Sequence, residues 1–95
     1  VLANLGCFRG AEPDSGTVFE VGFACALGKP VWAYFPEQQP LIEQIRHDSQ
    51  GRCADGFQVE DFGLPRNLML ACSWVGASSS AEQAVAALAG WLRGV

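Results

Sequence analysis

Apolar residues fall in short blocks divided by glycine, proline and charge. The first, Val1–Leu5 (VLANL), has the pattern of a short buried strand. Residues 6–15 read as a loop, with Gly10 and Pro13 as breakers. From Val18 to Leu27 every residue except Glu20 is apolar or glycine. That run predicts a buried helix over Gly16–Leu27. Phe19, Phe23 and Leu27 line one face at i, i+4 and i+8, and Val18, Val21 and Cys25 lie on another. Gly22 and Ala26 permit a neighbour to approach closely. Gly28 stops the helix in the C′ position.

Pro30–Phe35 (PVWAYF) predicts the next strand, which Pro36 ends. Leu41–His47 is a short amphipathic helix carrying Leu41, Ile42 and Ile45. Ser49–Asp61 is a polar loop whose Phe57–Glu60 segment is a weak strand candidate. Pro65 stands ahead of a short helix from Asn67 to about Ala71. Ser73–Val75 (SWV) predicts a third strand. Ser80 caps a last helix, Ala81–Arg93, with Val85, Leu88 and Leu92 expected to face inward and Trp91 as its aromatic anchor. Strands alternating with helices imply parallel βαβ units in an α/β sheet. Three firm strands are fewer than the roughly five such sheets carry. The sequence also begins inside a strand. A single partial domain over residues 1–95 is expected, completed by more chain or by another subunit.

Composition narrows the partners. The formal charge of −4, with Lys and Arg scattered, argues against nucleic acid. No apolar run reaches the ~20 residues that span a bilayer, and VLANL has neither the basic leader nor the cleavage site of a signal peptide. Charged residues make up only 17% of the chain, which points to surface covered by a partner subunit. Cys7, Cys25, Cys53 and Cys72 show no C-x-x-C spacing, and there is one histidine. Reduced thiols in a cytoplasmic protein are expected, with no metal and no cofactor.

Glu20 is the only charged side chain between Asp14 and Lys29. A carboxylate on a buried apolar helix costs several kcal/mol unless it is paired or stands at a helix end. Two readings are open. Thr17-Val18-Phe19-Glu20 matches the capping box T-x-x-E, with Asp14 or Ser15 as alternative caps. Alternatively, Glu20 is a nucleophilic or acid/base carboxylate kept ionised by the helix N-terminus. The loop leaving the first strand enters this helix, so Asp14, Ser15, Gly16, Thr17 and Glu20 sit where α/β sheets bind ligands. Asp14 and Glu20, six apart across a turn, can flank one ligand, and a carboxylate pair suits glycosidic-bond chemistry.

At this point PDSGTVFEVGFACALGKPV resembles the signature of the nucleoside 2-deoxyribosyltransferases: Asp14, Gly16 two residues on, Glu20 six on, a small-residue helix, then GKPV. FGLPRNLML resembles a second block of that family. The family's first strand, the loop and helices after it, and an acidic residue just before Val1 have no counterpart. The resemblance implies a parallel-sheet, Rossmann/flavodoxin-like three-layer sandwich without its N-terminal part. It implies transfer of 2-deoxyribose between nucleobases, with Glu20 as nucleophile and Asp14 handling the proton of the base. It also implies that Asn67 and Met69 reach a neighbouring subunit's site near the sugar 5′ end, so that a homo-oligomer is needed.

Other residues carry packing readings beside functional ones. Ser15 and Gly16 shape the turn, and Gly16 lets backbone approach a ligand. Asn67 reads equally as an N-cap, and Met69 as core filler. Phe8 either stacks on a base or packs the loop. A deoxynucleoside or deoxynucleotide N-hydrolase, with water resolving the intermediate, is the alternative reaction. A non-catalytic fragment or binding module is the alternative class.

Overall fold

The computed structural model describes residues 1–94. Three short strands, β1 (Leu2–Asn4), β2 (Trp32–Tyr34) and β3 (Gly76–Ser78), form one parallel sheet in the order β1-β2-β3. Helix α1 (Ser15–Ala26) connects β1 to β2, and two single turns, α2 (Leu41–Gln44) and α3 (Leu68–Ala71), lie between β2 and β3. α4 (Ala81–Arg93) follows β3. Ala3, Ala33 and Ala77 sit side by side across the sheet. With Leu5, Val31 and Phe35 they face α1 and α3, which contribute Val21, Ala24 and Leu70 to the core. α4 touches all three strands but neither α1 nor α3, so it covers the opposite face. The result is a three-layer, flavodoxin-like α/β arrangement, the parallel sheet as the alternating pattern implied and the layering as the family resemblance implied.

Four expectations need correction. The third strand is not Ser73–Val75 but Gly76–Ser78. Trp74 instead packs against Phe35, ring centres 5.6 Å apart, and Val75 N–H donates to the Val31 carbonyl just before the strand proper. Side-chain demand for the core outweighed the β-propensity of Trp. Phe57–Glu60 forms no strand; a single antiparallel bridge joins Arg52 to Gln58. The helix at Leu41 ends at Gln44, because the Gln44 amide donates to the carbonyls of Glu37, Gln39 and Pro65 and Ile45 turns extended. On α4, Val85 and Leu92 are exposed and Ala84 is buried, with Leu88 half-buried. The inward stripe is rotated by about 100° from Val85, one helical residue. A small side chain at Ala84 lets the helix approach the sheet.

α1 is also less buried than its composition implied. Val21 and Ala24 face the core, while Phe19, Phe23, Leu27 and Glu20 are exposed. Phe19 and Phe23 stack on each other in solvent. Gly28, at φ 72°, terminates the helix as expected.

Small residues in β3 have a packing reason. A Cβ on Gly76 would lie 2.4 Å from the Trp32 ring, which a hydrogen bond from Nε1 to Ser78 Oγ holds in place. Gly76→Ala is expected to destabilise the fold by about 1–3 kcal/mol through overpacking. Urea unfolding checks this, and a change near zero would mean that the indole moves aside freely.

Candidate active site

The carboxyl ends of β1 and β2 open onto a set of adjoining clefts built mainly by the loop from Gly6 to Asp14. That loop is tightly folded. Phe8 N and Arg9 N both donate to the Glu12 carbonyl, Glu12 N donates back to Arg9, and Gly10 takes φ 60° at the turn. Pinning residues 8–12 this way sets Phe8 against the cleft while leaving it exposed. Asp14 follows Pro13 and caps α1. Its Oδ2 accepts from the backbone N of Thr17 at 3.0 Å and from Thr17 Oγ1 at 3.2 Å. Among the described residues its Oδ1 accepts nothing, so one carboxylate oxygen holds the helix and the other is available to a ligand.

This geometry removes the capping box. The helix begins at Ser15, so Thr17 is its third residue and Glu20 lies in the second turn, too far along to close on the cap. Glu20 has neither an ion pair nor a side-chain hydrogen bond among the described residues. The cost of burial also falls away, because Glu20 is exposed. What remains is a solvated carboxylate with no structural task. Its Cα stands about 9 Å along the axis from that of Asp14.

Phe8, Asp14, Ser15, Val18 and Asn67 line one cleft of about 430 Å³. Asn67 also opens onto a second, of about 360 Å³, with Met69, Val21 and Gly22. Phe8 and Asp14 share a third, of about 320 Å³, with Asn4, Cys7, Thr17 and Glu37. Five expected residues, Phe8, Asp14, Ser15, Asn67 and Met69, are therefore brought to adjoining clefts. Gly16 and Glu20 line none of the three. Asn67 is indeed an N-cap, with Oδ1 accepting from Leu70 N at 2.9 Å. Its amide nitrogen donates to no described residue. Met69 is not core filler, being 80% exposed.

Sequence reasoning missed the group beneath the clefts. Arg66 is 2% exposed and paired with Glu37. Cys7 N donates to the same Glu37 oxygen at 3.2 Å. Burial pushes the Cys7 thiol up, and the neighbouring Glu37 carboxylate pushes it further, so it is no ready nucleophile. Burial also raises the Glu37 carboxyl, but hydrogen bonds from Cys7 and Arg66 outweigh it and hold Glu37 below its ordinary 4.5. The one available signal was an arginine set among apolar residues directly after Pro65.

The sign of the Glu37 shift fixes a pH dependence. A lowered folded-state value gives stability that is present above about 4.5 and lost as pH falls below it. Wild type is expected to lose more stability than Glu37→Gln between pH 6 and pH 3. Parallel urea-unfolding curves across that range would contradict the assignment.

In a parallel α/β sheet, a carboxylate-bearing cleft beyond the strand ends stands where such folds bind their ligands. Comparison with known proteins is more specific. The nucleoside 2-deoxyribosyltransferase family pattern matches residues 1–69. A solved structure, 2-desoxiribosyltransferase from Leishmania mexicana, is 43% identical with a TM-score of 0.74, over 90% of this chain and 53% of that one. The chain thus spans about half of that protein's length. No curated protein matches the chain. The chain belongs to the nucleoside 2-deoxyribosyltransferase family.

No described helix is long and apolar enough to cross a membrane.

Proposed function

We propose that this chain supplies the nucleophile for transfer of 2-deoxyribose from one nucleobase to another. A carboxylate oxygen of Glu20 attacks C1′ of a 2′-deoxynucleoside as the C1′–N bond breaks. The departing base keeps the electron pair and takes a proton from Asp14. The deoxyribosyl ester on Glu20 is then attacked at C1′ by a nitrogen of the second base, whose proton returns to Asp14, and the carboxylate is released. The positive charge that builds on the sugar is stabilised by Glu20 before the bond forms.

One observation carries this reading. Glu20 lies inside the family match and has no structural task, because Asp14 already caps the helix. Asp14 supports it with a free oxygen at the cleft, and Phe8 and Ser15 offer a wall and a turn for the base.

A homo-oligomer belongs to the same reading. Phe19, Phe23, Leu27 and Met69 leave an apolar surface along α1 and α3 exposed. Covering it with a second copy would carry Met69 and the Asn67 amide toward the partner's sugar. The free thiols fit a cytoplasmic location.

Incubation with thymidine and adenine should yield deoxyadenosine. A slow 2-fluoro-deoxynucleoside should leave its sugar on the α1 peptide, seen by mass spectrometry. Free deoxyribose without exchange would instead favour the N-hydrolase. No turnover and no adduct from a verified oligomer would sink the proposal.

A further inference from the structure

We infer that Arg66 is a positioning residue whose buried guanidinium fastens the loops carrying Phe8, Glu37 and Asn67, and so sets the shape of the cleft. Arginine has five N–H donors in a rigid fork. All five meet an acceptor here. Nε donates to the Leu5 carbonyl at 2.7 Å, at the end of the first strand. Nη1 donates to Gln44 Oε1 at 3.0 Å and to the Pro65 carbonyl at 2.7 Å. Nη2 donates to Glu37 Oε1 and to Cys7 Sγ. The guanidinium also lies 4.4 Å from the centre of the Phe35 ring.

These acceptors belong to four separate segments: the Leu5–Cys7 exit, the turn after β2, α2, and the lead into α3. Gln44 extends the knot by donating to the Glu37 and Gln39 carbonyls. The consequences reach the cleft in one step each. Cys7 precedes Phe8, and Arg66 precedes Asn67, and each of these two neighbours lines two of the clefts. Arg66 itself lines none of the three clefts, and with every donor occupied it has nothing left for a substrate. It therefore positions and does not react. Lysine cannot replace it, because three donors at one point cannot reach acceptors spread around a planar fork.

The fastening stands on geometry alone, whereas its effect on turnover rests on the transfer reading above. The test is Arg66→Lys, followed by segmental amide hydrogen exchange and by kcat and KM for base exchange. Exchange is expected to quicken roughly tenfold or more in residues 5–9 and 65–70, with α4 unchanged. KM is expected to rise roughly tenfold or more, with kcat altered much less. Uniformly faster exchange along the chain, or an unchanged KM in folded protein, would overturn the proposal. If Arg66→Lys does not fold, Glu37→Gln decides. It removes one charged acceptor and should give the same segmental pattern at smaller amplitude, and a flat profile would count against the inference. Wild type that folds but transfers no sugar would defeat the transfer reading, and the exchange pattern would still decide the fastening.

Discussion

Glu20→Ala is expected to lower base exchange by roughly 10³-fold or more while leaving the fold intact. The size follows from the proposed role, since without the carboxylate no ester forms. The intact fold follows from the observed position. Glu20 is exposed and does not cap the helix, and alanine is the better helix former. Its stability should stay within about 0.5 kcal/mol of wild type, the range of an ordinary surface change. Asp14→Ala is a poorer test. Losing the bonds to Thr17 removes the helix cap, at about 1 kcal/mol, and mixes a folding effect with a chemical one. Glu20→Gln keeps the size and removes the charge, so it should fail as completely as alanine. Substantial exchange by either Glu20 variant, against an active wild type, would remove Glu20 from the mechanism.

Arg66→Met is expected to cost about 3 kcal/mol, the lower end of the range for removing one partner of a buried pair. The lower end applies because Glu37 keeps 27% of its side chain in water and can partly resolvate. The Leu5 and Pro65 carbonyls would also lose their donors. In a domain of this size that corresponds to a Tm lower by roughly 12–24 °C. The double variant Glu37→Gln/Arg66→Met should recover part of the loss, because it leaves no unpaired carboxylate. A drop of less than about 1 kcal/mol in the single variant would show that water replaces the guanidinium at little cost.

These two residues also mark how far the sequence could be read. Glu20 is conspicuous as the sole charge in an apolar run, yet of its two open readings the capping box does not hold. The run suggested burial and a capping box, whereas the helix starts at Ser15, Asp14 is the cap, and the stripe through Phe19 and Phe23 is exposed. Composition reports how apolar a helix is but not which face meets the core. Arg66 was unremarkable in the sequence, because its hydrogen-bond partners other than the adjacent Pro65 come from positions 5, 7, 37 and 44, and no local pattern links them. β3 shows the same limit. Gly-Ala-Ser has little strand propensity, but its backbone pairs with β2, and Gly76 leaves room for the Trp32 ring.

The sequence by itself determined the alternation of strand and helix, the stop at Gly28 and the family signature around Asp14 and Glu20. Such features depend on neighbours within a few residues, where backbone geometry and local capping act. Tertiary structure alone decided which apolar faces are buried and which residues share a cleft. It also decided that a buried arginine ties the loops of that cleft together. Those outcomes depend on contacts between segments up to 61 residues apart, whose acceptors meet only when the sheet and its loops have closed.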